Sequence, residues 1–208
     1  MNEEKVVLDR EDVRRTLVRI AHEVVENNHQ QRLALVGIHR RGAHLAGRLH
    51  RLIEELTGDE VDLGDLDISF YRDDVGRRSA APVVNATHLE FPIDDLTVVV
   101  VDDVLFTGRT VRAAIEALFD YGRPARVQLA VLADRGHREL PIRPDYVGKN
   151  LPTNREERVN VHVEELDGVD EVTITEPSDV ADARSGLLSN GERSAEGGRA
   201  TEGRPVTP

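Results

Sequence analysis

The chain has 208 residues, 39 acidic against 27 Lys plus Arg, a formal net charge of -12 and no cysteine. Without cysteine there is no disulfide, thiolate metal site or cysteine nucleophile, and the diffuse negative field opposes indiscriminate binding to nucleic acid, although a local basic face stays compatible with RNA. No long apolar run and no basic-then-apolar start is found, so neither a membrane span nor a signal peptide is expected and a cytoplasmic location is.

The length suits one domain with a substantial core. Lys5 and Lys149 are the only lysines, so arginine supplies almost all the positive charge. The acid excess predicts a surface suited to high salt, where screened carboxylates keep the chain soluble.

In chain order, residues 9–28 read as an amphipathic helix with Asp9 or Asp12 near its start and Val13, Leu17, Ile20 and Val24 as its apolar stripe. Arg15, Arg19 and His22 line up on another face, which by itself reads as solvated and paired with Glu23 or Glu26. Residues 33–38 suit a buried strand that runs into His39, Arg40, Arg41 and Gly42, a loop whose backbone and guanidinium groups suit pyrophosphate. A helix over 43–56 follows and stops at Thr57 and Gly58. Alternation predicts a strand over 66–72. Between 73 and 95 the pattern is lost, which fits either a lid or a plain hairpin connection.

Residues 98–101 are four valines in a row, apolar on both faces, as in a parallel strand covered by helices. Such strands gather ligands at their carboxyl ends. There stand Asp102 and Asp103, then a turn with Thr107 and Gly108, then a helical pattern over 109–119. Gly108 allows a tight turn. The hydroxyls of Thr107 and Thr110 and the unpaired N–H groups of the helix start suit a phosphate monoester. Asp102 and Asp103 can accept from vicinal sugar hydroxyls or hold Mg2+ through water. The group describes a sugar-phosphate pocket, with a solvated strand end as the plain alternative; the lysine-bearing P-loop pattern is absent.

The helix ends at 121–124, residues 127–133 form another buried strand, and its carboxyl end delivers a polar stretch over 134–149 beside the pocket, where a second substrate must arrive. Strands over 159–166 and 172–175 close the sheet in shorter or antiparallel pieces. The folded domain is expected over 1–176 and a disordered tail over 177–208. The eight histidines show no paired ligand spacing, so a structural zinc site is not expected.

The 98–110 stretch resembles the 5-phosphoribosyl-1-pyrophosphate (PRPP) motif of type I phosphoribosyltransferases. The 14–23 helix, the 37–42 loop, the 67–74 segment and above all residues 135–143, Arg-Gly-His-Arg-Glu-Leu-Pro-Ile-Arg, resemble the PyrR family of pyrimidine-operon regulators and uracil phosphoribosyltransferases, over about residues 5–175. The resemblance implies a Rossmann-like fold, a mainly parallel sheet flanked by helices with a small hood and a flexible lid. It implies UMP formation from uracil and PRPP with Mg2+, UMP-dependent binding of the pyr mRNA leader that favours termination, and a homodimer or higher homo-oligomer.

By the same resemblance Asp102, Asp103 and Arg41 are catalytic, with Mg2+ near the two aspartates. Arg40, Arg41 and Gly42 face pyrophosphate, and Leu105, Phe106, Thr107, Gly108, Arg109 and Thr110 surround the nucleotide phosphate. Tyr71, Arg72, Asp73, Asp74, Arg77 and Arg78 begin the lid. Arg19, His22, Arg138, Arg143 and Lys149 form the RNA surface, a division on which Arg138→Ala would spare catalysis. Three departures stand out: Phe106 for the usual tyrosine, Val18 for a threonine, and Arg40 for a threonine. Phe106 also replaces the acid that hypoxanthine and guanine enzymes carry before the Thr-Gly turn, which favours a pyrimidine over those purines.

Overall fold

The computed structural model describes residues 4–29, 31–69, 71 and 87–176. The expected lid residues Arg72, Asp73, Asp74, Arg77 and Arg78 and the expected tail lie outside them. The elements run β1 (Glu4–Leu8), α1 (Arg10–Asn27), β2 (Leu33–Ile38), α2 (Arg41–Thr57), β3 (Asp62–Leu66), β4 (Thr97–Leu105), α3 (Arg109–Tyr121), β5 (Arg126–Asp134), β6 (Tyr146–Asn150), β7 (Arg158–His162), α4 (Glu164–Asp167) and β8 (Glu171–Thr175).

The central sheet has five strands in the order β3-β2-β4-β5-β6, every neighbouring pair parallel. Alternation along each strand sends successive side chains to opposite faces. Val99 and Val101 of β4, Leu35 of β2 and Ala130 and Leu132 of β5 pack on the side of α1 and α2. Val98, Val100, Val36 and Val131 pack on the side of α3. The unbroken valine run is thus a strand with two interior faces, and residues 98–100 have no exposed area.

Helix α1 starts at a capping box in which the Asp9 side chain accepts from the Asp12 backbone and Asp12 from the Asp9 backbone. Helix α2 ends at Gly58 in the left-handed region, φ 73°, its N–H on the Glu54 carbonyl. Chain reversals of this kind return each helix to the next parallel strand.

A second sheet, β1-β8-β7, is antiparallel and joins the first strand to the last. With α4 it forms the hood, tied to α2 by Arg48, which bonds both Glu165 (2.5 Å) and Asp170 (2.7 Å). Arg48 and Asp170 are largely shielded, so burial opposes the charge on each. For Asp170 the Arg48 guanidinium and the Glu164 N–H prevail and hold its carboxyl below the usual range. Glu165 is held low chiefly by its bond to Arg48.

Three expectations are corrected. The third strand is Asp62–Leu66 rather than 66–72, because pairing with the buried β2 outweighs the poor strand propensity of Asp-Leu-Gly-Asp. The expected strand over 159–166 ends at His162, and a short helix follows from Glu164. The polar stretch conceals β6, anchored by fully buried Tyr146, whose hydroxyl donates to Gln128 and accepts from Asn28. Among the described residues no helix is long and apolar enough to cross a membrane.

Candidate active site

Strand β4 does not end before the twin acids; it continues through them to Leu105, paired with β5 as far as Asp134. Asp102 is 6% exposed and accepts the Asp103 N–H at 2.9 Å, while Asp103 accepts the Val104 N–H at 2.8 Å. These short local bonds orient both carboxylates at the sheet's carboxyl edge. Gly108 then turns the chain at φ 95°, a conformation that other residues adopt only with strain. Helix α3 begins at once, with Arg112 N–H on the Gly108 carbonyl at 2.9 Å. The N–H groups of its first turn have no carbonyl within the helix to meet, which suits an anion.

Two adjoining hollows lie here. One, about 300 Å³, is lined by Leu105, Phe106, Thr107, Gly108, Arg109 and Glu139; the other, about 370 Å³, by His39, Arg40, Arg41, Asp67, Ser69 and Asp103. Asp102, Val104 and Thr110 line both. One cleft therefore has a turn rich in N–H and hydroxyl donors at one end, an arginine loop at the other, and carboxylates between.

The arginine loop follows β2, and its His39–Arg40 peptide is cis. A Cβ at Gly42 would sit 2.5 Å from the Val101 carbonyl oxygen, so only glycine lets the start of α2 press against β4. Arg41 turns to the hood, donating to both oxygens of Asp167 at 2.9 and 3.2 Å. Its guanidinium holds the Asp167 carboxyl below the ordinary range, and Asp167 also accepts the Val163 N–H. Tyr71 donates its hydroxyl to Asp120 at 2.5 Å, which raises its pKa.

Sequence reasoning missed the support of the phosphate turn. Arg138 donates to the carbonyls of Phe106 (2.7 Å), Ile142 (3.0 Å), Gly136 (3.1 Å) and Leu105 (3.4 Å), and to Asp134 (2.5 Å). The Glu139 and Leu140 N–H groups meet the Thr107 carbonyl at 3.0 and 3.1 Å. Arg135, 8% exposed, lies 4.1 Å over the Phe106 ring and bonds the carbonyls of Asn154, Arg155 and Glu157. Burial lowers the pKa of this guanidinium. The motif 135–143 is thus the back wall of the 105–110 turn, a role that no spacing rule reveals because its partners are main-chain carbonyls. Arg138, expected on the RNA surface, thus also holds the backbone of the turn at Leu105 and Phe106.

Of the other residues expected to meet RNA, Arg19, His22 and Lys149 lie on α1 and β6, while Arg143 stays near Arg138. Arg19 donates to the carbonyls of Val147 (2.8 Å) and Gly148 (2.7 Å) and pairs with Glu23, fixing α1 against β6. His22 and Lys149 are exposed, and the Lys149 ammonium is 3.3 Å from the Val7 carbonyl. Exposed Arg143 borders a hollow of about 630 Å³ shared with Arg135, Arg138 and Val147.

Comparison with known proteins places the fold in a family. The family profile described as "Phosphoribosyl transferase domain" matches residues 7–166. The Bifunctional protein PyrR of Roseiflexus sp. (strain RS-1) is 60% identical over 166 residues, covering 79% of this chain and 91% of its own. The chain belongs to the PyrR family of phosphoribosyltransferases. The PyrR protein of Clostridioides difficile (strain 630) is 52% identical over 177 residues, 85% of this chain and 100% of the relative. PyrR of Deinococcus radiodurans is 53% identical over 175 residues, 84% and 96% of the two chains.

Among solved structures, the fold of this chain is similar to a hypoxanthine phosphoribosyltransferase of Trypanosoma cruzi, with a TM-score of 0.65 and 19% identity over 87% of this chain and 95% of the other. A Staphylococcus aureus hypoxanthine phosphoribosyltransferase gives 0.64 and 20%, over 83% and 91%. At that identity the fold is what is shared.

Proposed function

We propose that this protein is a UMP-responsive regulator of pyrimidine-gene transcription that binds the pyr mRNA leader, and that it also transfers phosphoribosyl from PRPP to N1 of uracil. The observation that carries the reading is the continuous cleft in which Asp102, Val104 and Thr110 join the phosphate turn to the arginine loop. A 5-phosphorylated pentose with a leaving group at its other end matches that order of donors and acceptors. Membership of the PyrR family supports the regulatory half.

In this reading the turn formed by Thr107, Gly108, Arg109 and Thr110 takes the 5′-phosphate, with N–H groups and hydroxyls as donors. Asp102 and Asp103 accept from the ribose hydroxyls. The bond from the anomeric carbon to pyrophosphate breaks as uracil N1 attacks, with positive charge developing on the ribose and the N1 proton passing to solvent or the departing pyrophosphate. The chain's contribution is to hold nucleophile and leaving group in line and to meet departing charge with Arg40, Arg41 and the Gly42 backbone. Arg41 is engaged with Asp167, so serving pyrophosphate requires it to leave or share that carboxylate. Phe106, edge-on to His137 at 5.9 Å and under Arg135, offers the base an apolar wall and no proton.

Among the described residues no third carboxylate or imidazole converges with Asp102 and Asp103 to make a protein cage. The donors fit Mg2+ held mainly by pyrophosphate, hydroxyl and water. Bound there, the ion would neutralise the leaving group. UMP as effector, a cytoplasmic location and a homodimer or larger assembly belong to the same proposal.

Steady-state UMP formation tests the enzymatic half, and filter binding of the UMP-loaded protein to its own pyr leader tests the regulatory half. A rate equal to the blank would leave a nucleotide sensor; no RNA affinity at low salt would leave a salvage enzyme.

A further inference from the structure

At the edge of the cleft, away from the twin aspartates, three side chains from separate segments meet. His39 Nε2 stands 2.5 Å from Asp65 Oδ1, and His88 Nδ1 stands 3.1 Å from the same oxygen. One ligand atom from each of the three lies within 4.8 Å of the others. The backbone holds the group in place. Asp65 and His88 exchange N–H to carbonyl bonds at 3.0 Å each, and the His39 N–H meets the Leu66 carbonyl at 3.0 Å. His39 and Asp65 are part-buried, with side chains 20% and 26% exposed, while His88 is 59% exposed.

We infer that His39, Asp65 and His88 bind a divalent transition-metal cation of the zinc class, distinct from the Mg2+ that accompanies PRPP. Two imidazoles with one carboxylate suit zinc, nickel or copper, whereas Mg2+ selects oxygen. Three protein ligands with a solvent-facing fourth position make an open tetrahedral site. With metal–ligand distances of roughly 2.0–2.2 Å, tetrahedral ligands sit about 3.3 Å apart. The His88–Asp65 separation of 3.1 Å already fits, and the His39–Asp65 pair, 2.5 Å apart, needs to open by less than about 1 Å. Both rings lie against one carboxylate oxygen, so a single ion among the three groups would replace two hydrogen bonds. His39 borders the substrate cleft directly before Arg40, so a bound ion would fix the entry to the arginine loop.

The test is calorimetric titration of zinc chloride into the full chain in excess Mg2+, which occupies surface carboxylates. Wild type is expected to show one site, weakened at least about tenfold in His88→Ala and in Asp65→Asn, both checked for native circular dichroism. Cobalt(II) in place of zinc should give the intense visible absorption of a tetrahedral site, lost in the same variants. Equal zinc affinity in wild type and both folded variants would overturn the inference, as would a wild type with no site filled at micromolar zinc. Because the readout is metal binding, failure of the uracil or RNA reading would leave it unaffected.

Discussion

At the residue scale, two side chains separate chemistry from support. Asp103 touches only its neighbour's N–H among the hydrogen bonds described, and its carboxylate faces the cleft. Asp103→Asn is expected to cut turnover by at least about tenfold, the effect of removing charge from a positioned polar group, with a melting temperature close to wild type; unchanged kinetics would remove this acid from the site. Arg138 is different in kind. Its guanidinium gathers four carbonyls and the Asp134 carboxylate, and removing it strips one donor from each. Arg138→Ala should therefore cost about 2–4 kcal/mol in denaturant unfolding and raise KM for PRPP, because the phosphate turn loses its rear wall. A variant with wild-type stability and kinetics but weakened RNA binding would restore the division that the resemblance alone implied.

At the scale of elements, the hood and the arginine loop meet through Arg41 and Asp167. This contact links α4 to the start of α2, where Arg41 lines the cleft. Asp167→Asn should free Arg41 and strengthen product inhibition by pyrophosphate several-fold, with a stability loss of no more than about 1 kcal/mol for a part-exposed pair. Inhibition constants unchanged by the substitution would show that Arg41 does not reach pyrophosphate. The same region sets an acid response. Glu165, Asp167 and Asp170 all have carboxyls held below their ordinary values, so the stability they add is present above about pH 4 and is lost as pH falls through the lower folded values. Acid titration followed by hydrogen exchange should find the hood opening before the parallel sheet.

For the whole molecule, the charge of -12 and the basic residues proposed to meet RNA pull in opposite directions. Arg19 is committed in part to β6 carbonyls, which makes exposed His22 and Lys149 the cleaner probes. The double variant His22→Ala with Lys149→Ala should weaken leader binding by about tenfold or more and reduce its salt dependence, while leaving UMP formation intact. Equal loss of both activities would mean that the two faces are not separable. Denaturant melts in rising salt address the acid surface: stability should increase toward molar salt as like charges are screened, and a flat or falling curve would refute that adaptation.

The sequence by itself determined the elements whose signal is local. Four valines in a row demanded a strand with two buried faces, an acid at 9 or 12 and a glycine at 58 marked helix ends, and Gly108 marked the tight turn before α3. These follow from side-chain shape and backbone freedom within a few residues. Only the tertiary structure decided that β3 ends at Leu66 and that Tyr146 anchors a strand inside a polar stretch, since pairing with a buried neighbour outweighs local pattern. It alone turned Arg138 inward, set Arg41 on Asp167 and brought His39, Asp65 and His88 together. Those partners are far apart along the chain, and their meeting depends on how parallel strands align their carboxyl ends, a distance that no spacing of residues records.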